Sequence, residues 1–267
     1  IRIQAGESVR LLDNSGITSL GLAGNTGVNT GAISIEAGNT LSLENSVILT
    51  TSEATAGKVD LSAQNIVLNG TAGQVLIASD TTELSTGNAG DITLKATEAI
   101  ELIGNVPGPF NLPQLQTFTS EDVIAQSFGN TTIQASAFGV GTAGNIKVNA
   151  ERLALRDGAF LSNIVGLGSV ESQAGDITID ANDIQLQGLA VISTGTLGNQ
   201  AAGALDIRSD RITLDNGASI GVSTALGTGN AGELTINTQE LSVTGGAVVA
   251  ANTIGGGSGG VLTIEAR

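Results

Sequence analysis

Apolar and polar residues alternate along almost the whole chain in bursts of three to five positions, as in Ile33-Ser-Ile35, Val59-Asp-Leu61 and Ile92-Thr-Leu94. A period of two marks a β-strand, because successive side chains point to opposite faces. No stretch carries an apolar period of 3.6, so helices are expected to be nearly absent.

The bursts recur in phase. The phrase small-Gly-x-apolar-x-apolar-x-Ala reads Thr-Gly-Ala-Ile-Ser-Ile-Glu-Ala at 30–37, Ala-Gly-Lys-Val-Asp-Leu-Ser-Ala at 56–63 and Ala-Gly-Asp-Ile-Thr-Leu-Lys-Ala at 89–96, and returns from 143, 174, 202, 231 and 259. Its glycines are Gly31, Gly57, Gly90, Gly144, Gly175, Gly203, Gly232 and Gly260, at spacings of 26, 33, 54, 31, 28, 29 and 28. Each interval holds a second alternating segment, such as Leu153-Ala-Leu155 or Ile184-Gln-Leu186, and a third, such as Val75-Leu-Ile77 or Ile220-Gly-Val222.

Three short strands per turn, stacked turn on turn, predict an all-β fold: a parallel β-helix, or three-sided β-solenoid, of about eight coils of roughly 28 residues, rising about 40 Å in all. A β-sandwich also has closely spaced strands, but it has no reason to repeat one phrase in phase. Between the second and third strands stands a glycine in most copies, at Gly16, Gly70, Gly104, Gly158, Gly188, Gly217 and Gly245, with Asn45 in that role in the 31–57 copy. Positive φ at this corner is the expectation, since Gly adopts it cheaply and Asn tolerates it.

The spacing of 54 departs from the rest, and the alignment of Ala135–Gly144 with Ser223–Gly232 places its third strand near 131–136. The chain thus reads as a single solenoid domain, 1–267, with an inserted loop at about 104–130. That loop holds all three prolines, Pro107, Pro109 and Pro113, and three of the five phenylalanines, Phe110, Phe118 and Phe128. These phenylalanines form a candidate interaction patch if they face outward. The segment Ile1–Ala5 matches Leu262–Ala266 in phase, and neither end carries a polar cap, so further repeats or end-to-end neighbours are expected. No leader segment is visible, so an exported protein would make this chain an internal piece.

Composition narrows the chemistry. Glycine supplies 38 of 267 residues and there is no Trp, Tyr, Met, Cys or His, so Ile, Val, Leu and Ala must build the core. The net charge is −15, with 25 scattered acids and ten isolated bases. That balance excludes the basic stripe a nucleic acid needs and would repel an anionic membrane surface. Without His or Cys, imidazole and thiol nucleophiles and the usual zinc or haem ligand sets are ruled out, and no cofactor is expected. A chain that crosses an oxidising compartment unfolded also gains from having no thiol.

Carboxylate and base chemistry remains. The densest set is Glu151, Arg152, Arg156 and Asp157 in one turn with Asp176, Asp180 and Asp183 in the next, the kind of wall that carbohydrate-active β-helices use. Asp91, Asp176 and Glu233 follow repeat glycines, but Lys58, Asn145, Ala204 and Val261 share that place, so a calcium ladder is not expected. Gly255–Gly260 precedes a strand and lacks a phosphate-binding lysine, so it reads as a corner. The outward Thr178, Gln185, Thr213, Thr235 and Asn237 are suited to hydrogen-bonded ladders along the rod or to a sugar-binding wall.

The phrases Gly229-Asn-Ala-Gly-Glu-Leu-Thr-Ile236, Gly87-Asn-Ala-Gly-Asp-Ile-Thr-Leu94 and Leu214-Asp-Asn-Gly-Ala-Ser-Ile220 resemble repeats of the filamentous-haemagglutinin-like exoproteins of the two-partner secretion family, over essentially the whole chain. The resemblance implies a right-handed β-helix, secreted by a Gram-negative bacterium through an outer-membrane barrel transporter and serving as adhesin, matrix protein or toxin stalk. The Asn-Pro-Asn-type motif of that family's N-terminal secretion domain is missing, so the segment looks like a shaft region. Repeat motifs carry over no site residues. The expected function is a non-enzymatic structural or adhesive rod at the cell surface, partnered by neighbouring coils, by copies of itself or by a polysaccharide or host surface. A carbohydrate-active β-helix is the alternative.

Overall fold

The computed structural model describes residues 1–21, 28–83, 85–105, 130–166, 174–225 and 227–266. Among these residues every regular element is a strand, and all strand pairs are parallel. Coil 1 comprises β1 (Arg2–Ala5), β2 (Val9–Leu11) and β3 (Gly16–Gly21), and coil 2 comprises β4 (Ile33–Ala37), β5 (Thr40–Glu44) and β6 (Val47–Ser52). The next six coils hold two strands each: β7 (Val59–Asn69) and β8 (Val75–Thr81), β9 (Ile92–Ile103) and β10 (Thr131–Gln134), β11 (Ile146–Arg156) and β12 (Phe160–Val165), β13 (Ile177–Gln187) and β14 (Val191–Thr196), β15 (Leu205–Asp215) and β16 (Ser219–Thr224), β17 (Glu233–Val243) and β18 (Val248–Thr253). A last strand, β19 (Val261–Ala266), closes sheet A. The result is a β-solenoid of about eight turns of about 29 residues.

The expected three strands per turn hold only in the first two coils. From coil 3 onward the first two fuse into one strand of 11 or 12 residues that bends in the middle. Two hydrogen-bonded sheets therefore form: sheet A, of eleven strands, covers two sides of the rod, and sheet B, of eight, covers the third. The bend is visible in burial. In β7 alternation runs inward at Val59, Leu61 and Ala63, then two residues in a row, Gln64 and Asn65, face out before Ile66 and Leu68 return to the core. β9 has one extra residue there, and its register against β7 shifts between Ala63 and Asn65, as a β-bulge requires.

An alanine occupies the inside of this corner in most coils, with Ala63 opposite Ala96 and Ala150 opposite Ala181. Two coils carry hydroxyls instead. Ser209 Oγ donates to Arg211 O at 2.7 Å, and Thr238 Oγ1 to Glu240 O at 3.0 Å, so these polar replacements satisfy themselves on local backbone.

Inside, like stacks on like. The column Ile33, Val59, Ile92, Ile146, Ile177, Leu205, Leu234 runs in strict register, and beside it run Ile35, Leu61, Leu94, Val148, Ile179, Ile207, Ile236. Sheet B contributes Ile48, Ile77, Ile133, Leu161, Ile192 and Ile220 from the facing wall. All belong to one contiguous buried cluster. A narrow interior filled by residues of similar shape is met by aliphatic columns, which explains how the chain dispenses with Trp, Tyr and Met.

At the corner before sheet B, pairs of consecutive residues take positive φ: Asp157 and Gly158 (55° and 76°), Gly188 and Leu189 (62° and 65°), Asn216 and Gly217 (52° and 76°), Gly245 and Gly246 (57° and 77°). This is the left-handed pair a type I′ turn demands. The turn closes by Ala159 N–H donating to Arg156 O (3.2 Å), Ala218 N–H to Asp215 O (3.3 Å) and Ala247 N–H to Thr244 O (2.9 Å). Asn45 also sits at positive φ, 45°, as expected. Gly16, Gly70 and Gly104 do not. Asp13 and Asn14 take the left-handed positions in coil 1. At Gly70 an added Cβ would run into Thr131 Oγ1, and at Gly104 into the backbone of Asp157, Gly158 and Ala159. Among the described residues Leu189 is the one left-handed position there that is neither Gly, Asn nor Asp, and left-handed backbone costs an ordinary L-residue about 1–2 kcal/mol. Leu189→Asn is accordingly expected to raise the unfolding free energy by about 1 kcal/mol in urea titration.

The repeat glycines have a different origin. None has a positive φ, yet a Cβ built at Gly57, Gly90, Gly144, Gly175, Gly203, Gly232 or Gly260 falls well under 3.0 Å from the carbonyl oxygen of the repeat glycine one coil earlier. Close backbone approach, not conformation, demands glycine along this column.

Candidate functional site: the walls of the rod

Each repeat glycine lies where the chain turns from sheet B back to sheet A, and part of its peptide hydrogen bonding is met from within the rod. Ser79 Oγ donates to Gly57 O (2.9 Å) and accepts from Gly90 N–H (2.9 Å). Thr50 Oγ1 donates to Gly57 O (2.6 Å) and Thr194 Oγ1 to Gly203 O (2.7 Å), while Asn163 Nδ2 donates to Gly144 O. All four are buried. A simple inside-apolar reading misses this polar column, although its signal is present: a Ser, Thr or Asn recurs two residues after the inward aliphatic of the third strand.

Outside, the residue after the repeat glycine forms a second ladder. Asp91 Oδ1 accepts Asn145 N–H (3.0 Å), Asn145 Oδ1 accepts Asp176 N–H (2.9 Å) and Asp176 Oδ1 accepts Ala204 N–H (2.8 Å). These carboxylates hold the next coil's backbone. Lys58 Nζ adds an ion pair to Asp91 at 2.6 Å. The Asp91 hydrogen bond and charge raise Lys58 above the usual lysine range. Partial burial would lift Asp91, but Lys58 and the Asn145 donors outweigh it and hold the carboxyl below its usual range.

The outer corner of sheet A is laddered as well. Amide and acid alternate between coils: Gln64 donates to Glu98 (2.7 Å), Asn182 to Glu151 (2.5 Å) and Gln239 to Asp210 (2.7 Å). One position on, Arg152, Asp183, Arg211 and Glu240 stack in register with alternating sign. Arg211 Nε lies 3.3 Å from Glu240 Oε2. With adjacent strands about 4.8 Å apart, like charges in such a column would repel, and alternation removes that cost.

The candidate catalytic residues are therefore spread over several ladders. Arg152 and Asp183 are register partners. Arg156 pairs away from them with Glu101 (2.9 Å), Glu151 accepts from Asn182, Asp157 sits in a turn, and Asp176 holds backbone. Asp180 instead lines a shallow polar depression with Asn182, Arg208, Asp210, Gln239 and Glu265. Among the described residues no three acids are grouped to hold a metal ion. Phe110, Phe118 and Phe128 lie outside the described residues.

Sheet B presents a different wall. No described Lys or Arg lies on it, and among its outward positions the one charged side chain is Asp80, itself buried. Asp80 Oδ2 accepts Gln134 Nε2 (2.6 Å) and Oδ1 accepts Ser136 N–H (2.9 Å). Burial pushes its pKa from 3.8 to about 7, the two donors offsetting only part of the effect. Nothing in the stretch Val75–Thr81 distinguishes this acid from a solvated one.

A pH signature follows. The folded protein keeps on Asp80 a proton that the unfolded chain releases between about pH 4 and pH 7. This group's contribution to stability is thus fullest below about pH 4 and is lost as pH rises to about 7. The stability of Asp80→Asn relative to the parent should improve by on the order of 2–4 kcal/mol across that window, read from urea titrations at a series of pH values.

The geometry defines the class of the molecule as a parallel β-solenoid. Compared with known proteins, the chain matches no protein-family model, no curated protein and no solved structure.

Proposed function

We propose that this chain is a non-enzymatic structural and adhesive rod, secreted or held at the outer surface of a Gram-negative bacterium. In this reading it is a shaft segment of a filamentous-haemagglutinin-like exoprotein of the two-partner secretion family, exported through an outer-membrane barrel. Its partners are further coils or copies of itself end to end, and a polysaccharide or host surface. The observation that carries the reading is how outward polar groups are used. On sheet A many charged and amide side chains engage the coil above or below, along much of the rod, in ladders that lock register. Such spending of carboxylates suits a shaft. The carbohydrate-active alternative has one observation in its favour, the polar depression around Asp180 and Arg208.

Electron microscopy of the purified chain, with pull-down on polysaccharides and cell surfaces, tests the proposal. Short rods about 40 Å long, or filaments built from them, together with capture on a surface, are expected. Release of oligosaccharide product, abolished by Asp180→Asn or Arg208→Ala, would overturn it in favour of the enzyme.

A further inference from the structure

An Asn or Asp followed by Gly is where an unstructured chain ages first. The glycine nitrogen, unhindered by a following Cβ, loses its proton and attacks the preceding side-chain carbonyl carbon. A succinimide ring closes, with ammonia expelled from Asn or water from Asp. Water then opens the ring at either carbonyl, leaving aspartate or isoaspartate. This protein has three such pairs, Asn69–Gly70, Asp157–Gly158 and Asn216–Gly217, all at the corner between sheet A and sheet B.

The structure treats the three alike. Gly70 N–H donates to Ile103 O at 2.8 Å, Gly158 N–H to Gly188 O at 2.7 Å and Gly217 N–H to Gly245 O at 3.0 Å. In each case the acceptor belongs to the next coil. At the first pair the Asn69 Oδ1 also accepts Thr71 N–H (3.1 Å) and Thr71 Oγ1 (2.7 Å), which turns the side chain toward Thr71. A nitrogen held in this way neither gives up its proton nor swings onto the side-chain carbon. The reaction needs both.

We infer that these three corners are latent modification sites, kept silent by the coil stacked above and opened when neighbouring coils part. Water and hydroxide are the only reactants required. Opening at Asn216 has a lasting effect: isoaspartate adds a backbone carbon to a turn built on φ of 52° and 76°, and a new carboxylate appears beside Asp215. A coil that has reacted no longer fits the one above it. Ageing of the rod is therefore one-way and spreads from coils that have opened, while closed coils stay chemically intact. This consequence is independent of which surface the rod binds.

The test compares the intact folded protein with the same protein in urea, at mildly alkaline pH, following isoaspartate at all three sites and ammonia loss at Asn69 and Asn216 by peptide mass spectrometry. Conversion at Asn69 and Asn216 is expected to be at least about 100-fold slower in the folded protein, the factor set by how rarely the coils open. Folded-state rates within about threefold of the urea rates would overturn the inference. A second measurement localises the gate. Gly232→Ala forces coil 8 off coil 7, and at urea concentrations where it remains folded it should speed Asn216 by about tenfold or more while leaving Asn69 within about twofold. Amide hydrogen exchange at Gly217 should rise in parallel, and faster exchange without faster conversion of Asn216 would also overturn it.

Discussion

Gly175→Ala is expected to lower the unfolding free energy by about 3 kcal/mol or more and to broaden the urea transition. The added methyl points at the Gly144 carbonyl oxygen, with the Asn163 amide nitrogen also well inside contact distance, and neither is a loose surface group. Room can be made only by separating coils 5 and 6, which opens the ladders on both sheets at that level. Because each coil touches chiefly its neighbours, a break in mid-rod should split one cooperative transition into two. Gly6→Ala is the control. A Cβ there meets nothing within 4 Å, so that variant should stay within about 0.5 kcal/mol of the parent.

The second large effect is expected at Ile179→Ala, a loss of about 3–4 kcal/mol by urea or thermal unfolding. Ile179 is fully buried between Val148 and Ile207 in a column where each side chain is a neighbour's floor and ceiling. A cavity there has rigid sheet on either side and little freedom to collapse. Thr178 faces outward on the same strand, and Thr178→Ala should cost less than about 0.5 kcal/mol. A similar cost at the two positions would mean that the strand is not oriented as described.

Much of this architecture is legible in the sequence, for a physical reason. A solenoid imposes the same local requirement once per coil, so each requirement appears many times at one phase, as in the aliphatic columns through Ile146, Ile177 and Leu205. The third strand after the long spacing falls where the repeat alignment puts it, at Thr131–Gln134, paired between β8 and β12. Left-handed corners at Gly158, Gly188, Gly217, Gly245 and Asn45 are likewise readable, because few residues tolerate that backbone.

What escapes the pattern has reasons too. Two adjacent polar residues such as Gln64 and Asn65 look like a break between strands, yet parallel pairing continues through the bend and shifts register by a bulge. Alternation marks Ser79, Asn163 and Thr194 only as polar, whereas they face inward because the peptide groups of Gly57, Gly90, Gly144 and Gly203 need partners there. The candidate acids around Glu151 and Asp176 look concentrated along the chain, but stacking distributes them among ladders one coil apart. Asp80 is buried by tertiary context that no local feature announces.

Register-locked parallel coils form the rod, and because the chain has no native cysteine, engineered thiols can probe that register. Lys147 and Thr178 are register partners on the outer face of sheet A. In the Lys147→Cys/Thr178→Cys double variant the two thiols would sit on facing residues about 4.8 Å apart, within disulfide reach. Oxidation should cross-link this pair in high yield within the monomer, and leave Lys147→Cys/Asp180→Cys, offset by two residues, essentially free. Equal cross-linking of both pairs, or cross-linking of the offset pair alone, would contradict the stacking from which every other conclusion follows.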